Sequence, residues 1–587
     1  MEICLVTAKI LAVMVVGIGP EDLTAASLEQ DRRVRIEIAP PVGGDNPTTR
    51  LVDGNTRTSH FASTQIKWPE GATPSVTIDL RGPRLITRVE VGYAGQMRLT
   101  GIDRRARGSW SALPANLFED RPAKYPRTSW LIAKGASVPA EALRLRWRVG
   151  SKGGQLTEVR VLGERSDQAR AVGYLAVMPC LPVAHKTAEV MVDLRNPGTK
   201  AKRSMSVRCV LRNGQGRQVA VAGPVAGEVA PLRASTVRTP MKIPGPGRYE
   251  LTASVEGSGN EKTSTTVHVL GRELQFIWYG VPEQAQWVTM LTTVSGSHEI
   301  ERWQRRGVVP LGWSGGYCYR DKYDEDGFAE YWTGGLKGHP VGIAVDEFGN
   351  HYGKPTDLQM SNGLLRAHRA VPDKRVVIWQ AGVTPPEAAE AYRIAADWII
   401  LECYMNYFDD RFSHFDARIN QLRKLGLIHK SVMGLCCTSD KIGTTAEGMV
   451  KQVRYVRRKA PEMPGLGFYK AYGTGKALAP VADRLCYEYF IKPTILAEPC
   501  PRAEGRVLLR NIGALPGSGI DVVFEKYERR SLKVIQTDRI ERIEPDAVAD
   551  VRLDTDRSGK GRFTFRVKPS EAYSCVSPPL RIDVSGE

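Results

Sequence analysis

Val341-Gly-Ile-Ala-Val-Asp-Glu-Phe-Gly349 is an apolar run that stops abruptly on two carboxylates. A strand that is apolar on both faces must be covered on both faces, which is the condition of a parallel sheet flanked by helices. The same rhythm recurs in Leu274-Gln-Phe-Ile-Trp-Tyr-Gly280, Val308-Val-Pro-Leu-Gly-Trp313, Arg375-Val-Val-Ile-Trp379, Trp398-Ile-Ile-Leu-Glu402, Ser431-Val-Met-Gly-Leu435 and Gly465-Leu-Gly-Phe-Tyr469. Amphipathic helical stretches lie between them, at Pro385 to Ala396, Phe415 to Leu425 and Ala446 to Lys459. Seven such units in about 220 residues predict a (β/α)8 barrel of TIM type. No GxGxxG follows any of the runs, which removes an open dinucleotide-binding sheet. The ring needs an eighth strand, which either follows the helical segment Leu478 to Tyr489, near Ile491 to Leu496, or precedes Leu274.

A chain of 587 residues exceeds what one hydrophobic core can organise, so several domains are expected. Short β-rich runs with period-two alternation and frequent Gly and Pro fill the segments on both sides of the barrel, which predicts antiparallel β-sandwiches. The resulting order is a signal peptide at 1–28, a sandwich at 30–166, a second at 170–271, the barrel at 272–496 and a third sandwich at 497–587. Leu194-Arg-Asn-Pro-Gly198 and Leu509-Arg-Asn-Ile-Gly513 repeat one strand-to-turn signature, and both segments that carry it resemble immunoglobulin-like spacer modules of bacterial surface enzymes.

The first sandwich carries a more specific likeness. Leu51-Val-Asp-Gly-Asn-Thr-Arg-Thr58, Trp68, Ser75-Val-Thr-Ile-Asp-Leu80, Leu85-Ile-Thr-Arg-Val-Glu-Val-Gly-Tyr93 and Leu156-Thr-Glu-Val-Arg-Val-Leu-Gly-Glu164 together resemble a discoidin (coagulation-factor type C) domain. The resemblance implies a jelly roll that binds sugars through loops at one end. It also implies a structural calcium ion near the Asp-Gly segment, with Asp53 and Asn55 as candidate oxygen ligands. A plain turn held by these two side chains is the competing reading.

The formal charge is +18, and residues 31 to 165 hold 23 Lys and Arg against 13 Asp and Glu. Such a field favours an anionic partner: nucleic acid, a membrane surface, or a sulfated or uronic-acid-bearing glycan. No zinc-finger spacing, RNP-type aromatic run or lysine-rich tail accompanies it, so no nucleic-acid partner is expected. The apolar stretch Ile10 to Gly19 followed by Ala25 and Ala26 has the order of a secretory signal, and no later segment predicts a transmembrane helix. Export is therefore expected, to a secreted, periplasmic or cell-surface location. The ten cysteines form no CxxC pair, and Cys403, Cys436, Cys437 and Cys486 lie in apolar runs as buried thiols. Cys180 with Cys209, and Cys500 with Cys575, would be bridged in an oxidising compartment.

In a barrel of this kind chemistry sits at the carboxyl ends of the strands. Asp346 and Glu347 end one run and Glu402 another, while Trp278, Tyr279, Trp313, Trp379, Gln380, Tyr404, Asn406, Asp440, Tyr469 and Lys470 stand at strand ends. The loop Gly315 to Gly335 adds Tyr317, Tyr319, Tyr323, Phe328, Tyr331 and Trp332. Sugar rings stack their C–H faces on aromatic planes and offer hydroxyls to carboxylates and amides. Glycosidic cleavage then needs one carboxylic acid to protonate the leaving oxygen and a second carboxylate to attack or to activate water. Glu347 and Glu402 are the expected pair, with Glu347 as acid and Asp346 tuning its pKa or orienting substrate. Period two turns adjacent residues to opposite faces, so only one of Asp346 and Glu347 points into the mouth unless the strand has ended.

The region resembles (β/α)-barrel glycoside hydrolases in layout. It departs from the large two-glutamate clan, which carries Asn-Glu after strand four and Glu after strand seven: here the pair is Asp-Glu, and the seventh recognisable strand ends in Tyr469-Lys470. An Asp-Glu pair on strand four is similar to that of substrate-assisted hexosaminidases, where Asp orients an acetamido group and Glu is the acid. The partner is accordingly a polysaccharide or glycoconjugate, and no cofactor is expected for catalysis. A glycan-binding or adhesion protein with a barrel that has lost its chemistry is the other class the sequence allows.

Overall fold

The computed structural model describes residues 35–39, 66–114, 117, 119–121, 129–132, 137–165, 172–196, 202–256, 261–280, 285–294, 297–348, 356–382, 384, 386–402, 404, 412–437, 444–469, 478–501, 503–528 and 531–585. The signal-peptide segment 1–28, Asp53, Asn55, Cys403, Asn406, Asp440 and Lys470 lie outside these residues. Of Tyr317 only the backbone is described.

Parallel strands pair in the order Gln275–Trp278, Met290–Leu291 and Val309–Pro310, and then, after Leu311, Gly312–Gly315, Gly342–Phe348, Arg375–Gln380, Trp398–Leu401, Ser431–Cys436 and Gly465–Tyr469. Gly465–Tyr469 returns to pair with Gln275–Trp278, and the N–H of Leu311 donates to Leu291 O at 2.8 Å, so the sheet is a near-closed eight-membered ring. The missing strand is Met290–Leu291, between the first and second recognised runs and not at either end. Two residues carry no period, so a strand this short leaves no pattern to read. The Ile491 to Leu496 alternative is corrected as well: Thr494–Pro499 pairs antiparallel with Arg506–Asn511 in the last sandwich. Asp346 and Glu347 therefore lie on strand four, Glu402 follows strand six, and Tyr469 ends strand eight.

Alternation sorts the strand residues into two cores. Ile277, Met290, Leu311, Ala344, Val377, Trp379, Ile400 and Val432, one or two from each of seven strands, fill the lumen. Residues of opposite phase, such as Val345, Ile378 and Leu401, join the helix-facing cluster with Phe328, Trp332, Phe415 and Val453. The helices Glu325–Gly338, Thr356–Ala370, Ser413–Lys424 and Ala446–Lys459 supply that outer layer.

Antiparallel sheets surround the ring. In the first β-rich segment two long, bent ribbons, Ser75–Ala106 and Val138–Arg165, pair with each other in three legs of one seven-stranded sheet around one core. Residues 172–269 form a three-stranded and a four-stranded sheet, and residues 494–584 form two four-stranded sheets. Buried arginine holds the last sandwich to the barrel. Arg457 donates to the carbonyls of Tyr489 (2.8 Å), Pro461 (3.0 Å) and Ile512, and Arg272 donates to Ile512 O at 2.7 Å. On the other side His268 meets the Trp287 ring edge-on at 5.1 Å, and Trp287 stacks on Tyr487 at 5.6 Å.

The four cysteines expected to bridge are free thiols. Cys180 turns away from its own sandwich and donates to Val288 O at 3.2 Å, while Cys209 packs inside the sandwich core; burial pushes both thiols up to about 12. Cys436, Cys437 and Cys486 are buried, as expected.

The ring closes on a glycine. A Cβ at Gly465 would lie 1.7 Å from the carbonyl oxygen of Gln275, across the seam between strands eight and one. Gly465→Ala is expected to cost at least about 3 kcal/mol, because the clash is with backbone that cannot give way. Urea unfolding checks this, and a loss below about 1 kcal/mol would show that the seam is not tightly held.

Candidate active site

Strand four decides which carboxylate faces the mouth. Ala344 points into the lumen, so Asp346, two residues on, takes the same side. There its Oδ2 accepts from Tyr279 Oη at 3.1 Å, from strand one, and from Trp313 Nε1 at 3.0 Å, from strand three. The pairing then slips: Val345 faces Ile378 while Phe348 faces Gln380, so strand four holds one more residue than its neighbour, and Glu347 sits in that bulge with φ of 53°. Such a φ is uncommon for glutamate and marks a constrained position. The expectation that Glu347 rather than Asp346 aims into the barrel is thus reversed, because the bulge follows Asp346. Glu347 ends exposed at the rim.

Glu402 closes the cluster from strand six. Its N–H donates to Gln380 O at 2.9 Å, and its carboxyl accepts from the Glu347 backbone N–H and from the Tyr404 hydroxyl. Burial, followed by the charges of Asp346 and Glu347, pushes its pKa up to about 8 despite those two donors. Oε1 is buried and has no hydrogen-bond partner among the described residues. Glu402 is therefore held protonated at neutral pH, beside an Asp346 carboxyl that accepts two side-chain hydrogen bonds.

Aromatic rings frame this cluster. Tyr404 stacks on Tyr469 at 5.3 Å and 18°, Tyr469 meets Tyr279 at 5.1 Å, and Tyr279 stands edge-on over Trp379 at 5.6 Å. Trp379 is fully buried and donates to Thr292 Oγ1 at 3.0 Å, so it is the floor of the mouth. Trp313 is 45% exposed and presents a free face at the rim. Over the end of strand four passes the loop at Gly316, where a Cβ would lie 2.6 Å from Asp346 O, so only glycine allows the approach. Cys318 on this loop is exposed, and its thiol is raised first by desolvation and then by Glu347 and Asp346.

Several expected contacts are not in the mouth. Trp278 is fully buried on the outer face of strand one, where Nε1 donates to Trp287 O at 3.1 Å. Its phase is opposite to that of Tyr279. Gln380 is buried against Thr384 in the loop after strand five. Phe328 and Trp332 fall in a helix, stack at 4.8 Å and belong to the outer core. Tyr319, Tyr323 and Tyr331 pack on one another at 5.1–5.6 Å. Thr292, Gly316 and Cys318 were missed: none belongs to a residue type that sequence reading associates with sugar chemistry.

No group of three or more His, Cys, Asp or Glu among the described residues is arranged to hold a metal ion. A cleft of about 480 Å³ opens at the opposite end of the barrel, beside Lys374 and Lys430. These ammonium groups are engaged by the carbonyls of Pro340, Tyr392 and Arg393, so the cleft is a helix-capping surface remote from the carboxylates.

No family model matches this sequence, and no curated protein matches it. Solved structures do. A glycosyl hydrolase family 2 member from Bacteroides cellulosilyticus is 10% identical, covers 88% of this chain and 77% of its own, and superposes with a TM-score of 0.27. A calcium-binding mutant of Bacteroides uniformis β-glucuronidase 2 is 10% identical over 94% of this chain and 80% of its own, at 0.28. CpGH89CBM32-6, produced by Clostridium perfringens, is 17% identical over 23% of this chain and 97% of its own, at 0.18. Superpositions this loose leave the function to be argued from the mouth itself.

The raised pKa has a sign. A carboxyl that ionises near 4.5 unfolded and near 8 folded contributes its full stability below pH 4.5, and loses it as pH rises through 8. Glu402→Gln is therefore expected to match wild type in stability below pH 4.5 and to exceed it by about 1–3 kcal/mol above pH 8. Thermal melts of both proteins from pH 4 to 9 measure it, and parallel pH profiles would mean that Glu402 is not held protonated.

Proposed function

We propose that this chain is a glycoside hydrolase whose general acid is Glu402. The observation that carries the proposal is a carboxyl raised to about 8 beside Asp346, whose Oδ2 accepts from Tyr279 and Trp313, under a ring of tyrosines. Glycosidic cleavage needs this asymmetry: one carboxyl must hold a proton at working pH, and another must offer negative charge to the developing oxocarbenium ion. Glu402 donates to the leaving oxygen, and Asp346 is the anionic partner. Glu347 fixes Glu402 through its backbone N–H and lines the rim, where Trp313 offers a sugar its ring face. This shifts the acid from Glu347, the residue first expected, to Glu402.

The substrate is a polysaccharide or glycoconjugate, and the positive charge of the chain favours an anionic one. The flanking sandwiches act as a discoidin-like sugar-binding module, with calcium at Asp53 and Asn55, and as two immunoglobulin-like spacers, in an exported protein. One observation favours a second reading of the chemistry. With Met290–Leu291 counted, Asp346 and Glu347 stand on strand four, the position at which substrate-assisted hexosaminidases hold Asp and Glu.

Reducing-end release from a panel of neutral, uronic, sulfated and N-acetylated glycans tests the proposal. Glu402→Gln is expected to lower kcat by about 10²–10⁴-fold while leaving binding intact, and to abolish a decline in kcat/KM above pH 8. Asp346→Asn should lower kcat similarly on every substrate; a loss confined to N-acetylated substrates would favour the substrate-assisted reading. Release of no sugar from any glycan that the wild type binds would sink the enzyme and leave a binding protein.

A further inference from the structure

Outside the mouth, the strongest unexplained feature is a set of arginines on the first sandwich. Residues 97–105 and 142–149 pair antiparallel, with Arg98 directly opposite Arg148, Gly101 opposite Arg146 and Asp103 opposite Arg144. Met97, Leu145, Trp147 and Val149 take the core side, so Arg98, Arg144, Arg146 and Arg148 share the outer face. Toward one end of this face the charges are matched. Arg146 pairs with Asp103 at 2.8 Å, Arg105 with Asp79 at 3.7 Å, and Arg144 lies 4.0 Å over the Trp110 ring.

Toward the corner at Gly150 they are not. Arg98 and Arg148 are exposed, face each other across the ladder, and have no carboxylate within ion-pair distance among the described residues. Lys152 adds a third exposed cation at the corner, which Gln96 Oε1 fixes by accepting from Ser151 Oγ at 3.0 Å and Lys152 N at 3.3 Å. Like charges directly opposite each other destabilise a strand pair, and no carboxylate among the described residues offsets these two. A bound anion would convert the repulsion into two bidentate contacts, since the guanidinium fork matches sulfate and carboxylate geometry.

We propose that this sheet face, centred on Arg98, Arg148 and Lys152, binds a polyanionic polysaccharide. The choice of a glycan among polyanions rests on the glycosidase reading of the barrel mouth; the anionic character rests on the arginines alone. The surface is a flat sheet face, distinct from the loop end that a discoidin-like module implies.

Affinity electrophoresis through gels holding dextran sulfate, polygalacturonate or neutral dextran tests it with the full chain. Wild type should be retarded by the two charged polymers and not by dextran, and added salt should weaken the retardation. Arg98→Ser/Arg148→Ser should lose about tenfold or more in affinity, equivalent to one good charge-assisted contact. Its melting temperature should be no lower than that of wild type, because the substitution removes a repulsion. Asp346→Asn should bind both charged polymers as wild type does, so this surface can stand even if no glycan is cleaved. Equal binding by the double arginine variant and wild type would overturn the proposal. So would wild type that ignores both charged polymers, or that binds duplex DNA or phosphatidylserine vesicles more tightly than either.

Discussion

Closure of a parallel ring is the constraint from which the rest of the molecule follows. Each strand of such a sheet is apolar on both faces and must find a lumen on one side and helices on the other. Once the seam between Gln275–Trp278 and Gly465–Tyr469 is paired, there is no edge left to protect, and every strand end on one side converges on the same opening. The site is built across that opening. Tyr279 of strand one reaches Asp346 of strand four, and Tyr469 of strand eight stacks on Tyr404 beyond strand six. None of these contacts is local in sequence, so an open sheet would scatter them.

Three carboxyl groups at one mouth oppose folding, and the structure manages them unequally. Two ionised carboxylates about 4 Å apart repel by about 4 kcal/mol at the dielectric typical of protein surfaces. Asp346 receives two side-chain donors, Glu347 is left to solvent, and Glu402 is buried deeply enough to keep its proton. Desolvation and donor placement thus treat neighbouring carboxyl groups unequally, which is the asymmetry that the proposed acid–base chemistry requires. The bulge at Glu347 belongs to the same device: its positive φ places a backbone N–H on Glu402 while removing its own side chain to the rim.

Long periodic runs were legible in the sequence, and single-residue geometry was not. Seven strands and the helices at 413–424 and 446–459 follow from apolar runs and 3.6-residue periodicity, which report burial averaged over many residues. Met290–Leu291 escaped because two residues have no period. Trp278 and Tyr279 looked equivalent as adjacent aromatics, yet alternation sends one to the helices and the other to the mouth. Phe328 and Trp332 read as loop aromatics because the Gly-rich stretch around them masks a helix whose inner stripe they form. Asp346 and Glu347 exchanged places for a third reason: the register slip after Val345 depends on what strand five does, and strand four alone does not encode it. The cysteine pairs failed likewise, since sharing a sandwich in sequence does not make two thiols face each other.

The mouth and the arginine face also divide the electrostatic work. At physiological salt, exposed charges are screened over about 8 Å, so a charge on one module acts only weakly on a group farther away than that. On the two proposals above, attraction at the sandwich would act as a tether, raising the effective concentration of a long polymer near the barrel without changing the affinity of the mouth. Such a division suits a polymer whose charges lie along its length and a cleft whose own charges are reserved for the reacting bond. Within the cleft, discrimination on that reading would fall to the tyrosine walls and the exposed Trp313, whose ring faces suit the C–H faces of sugars.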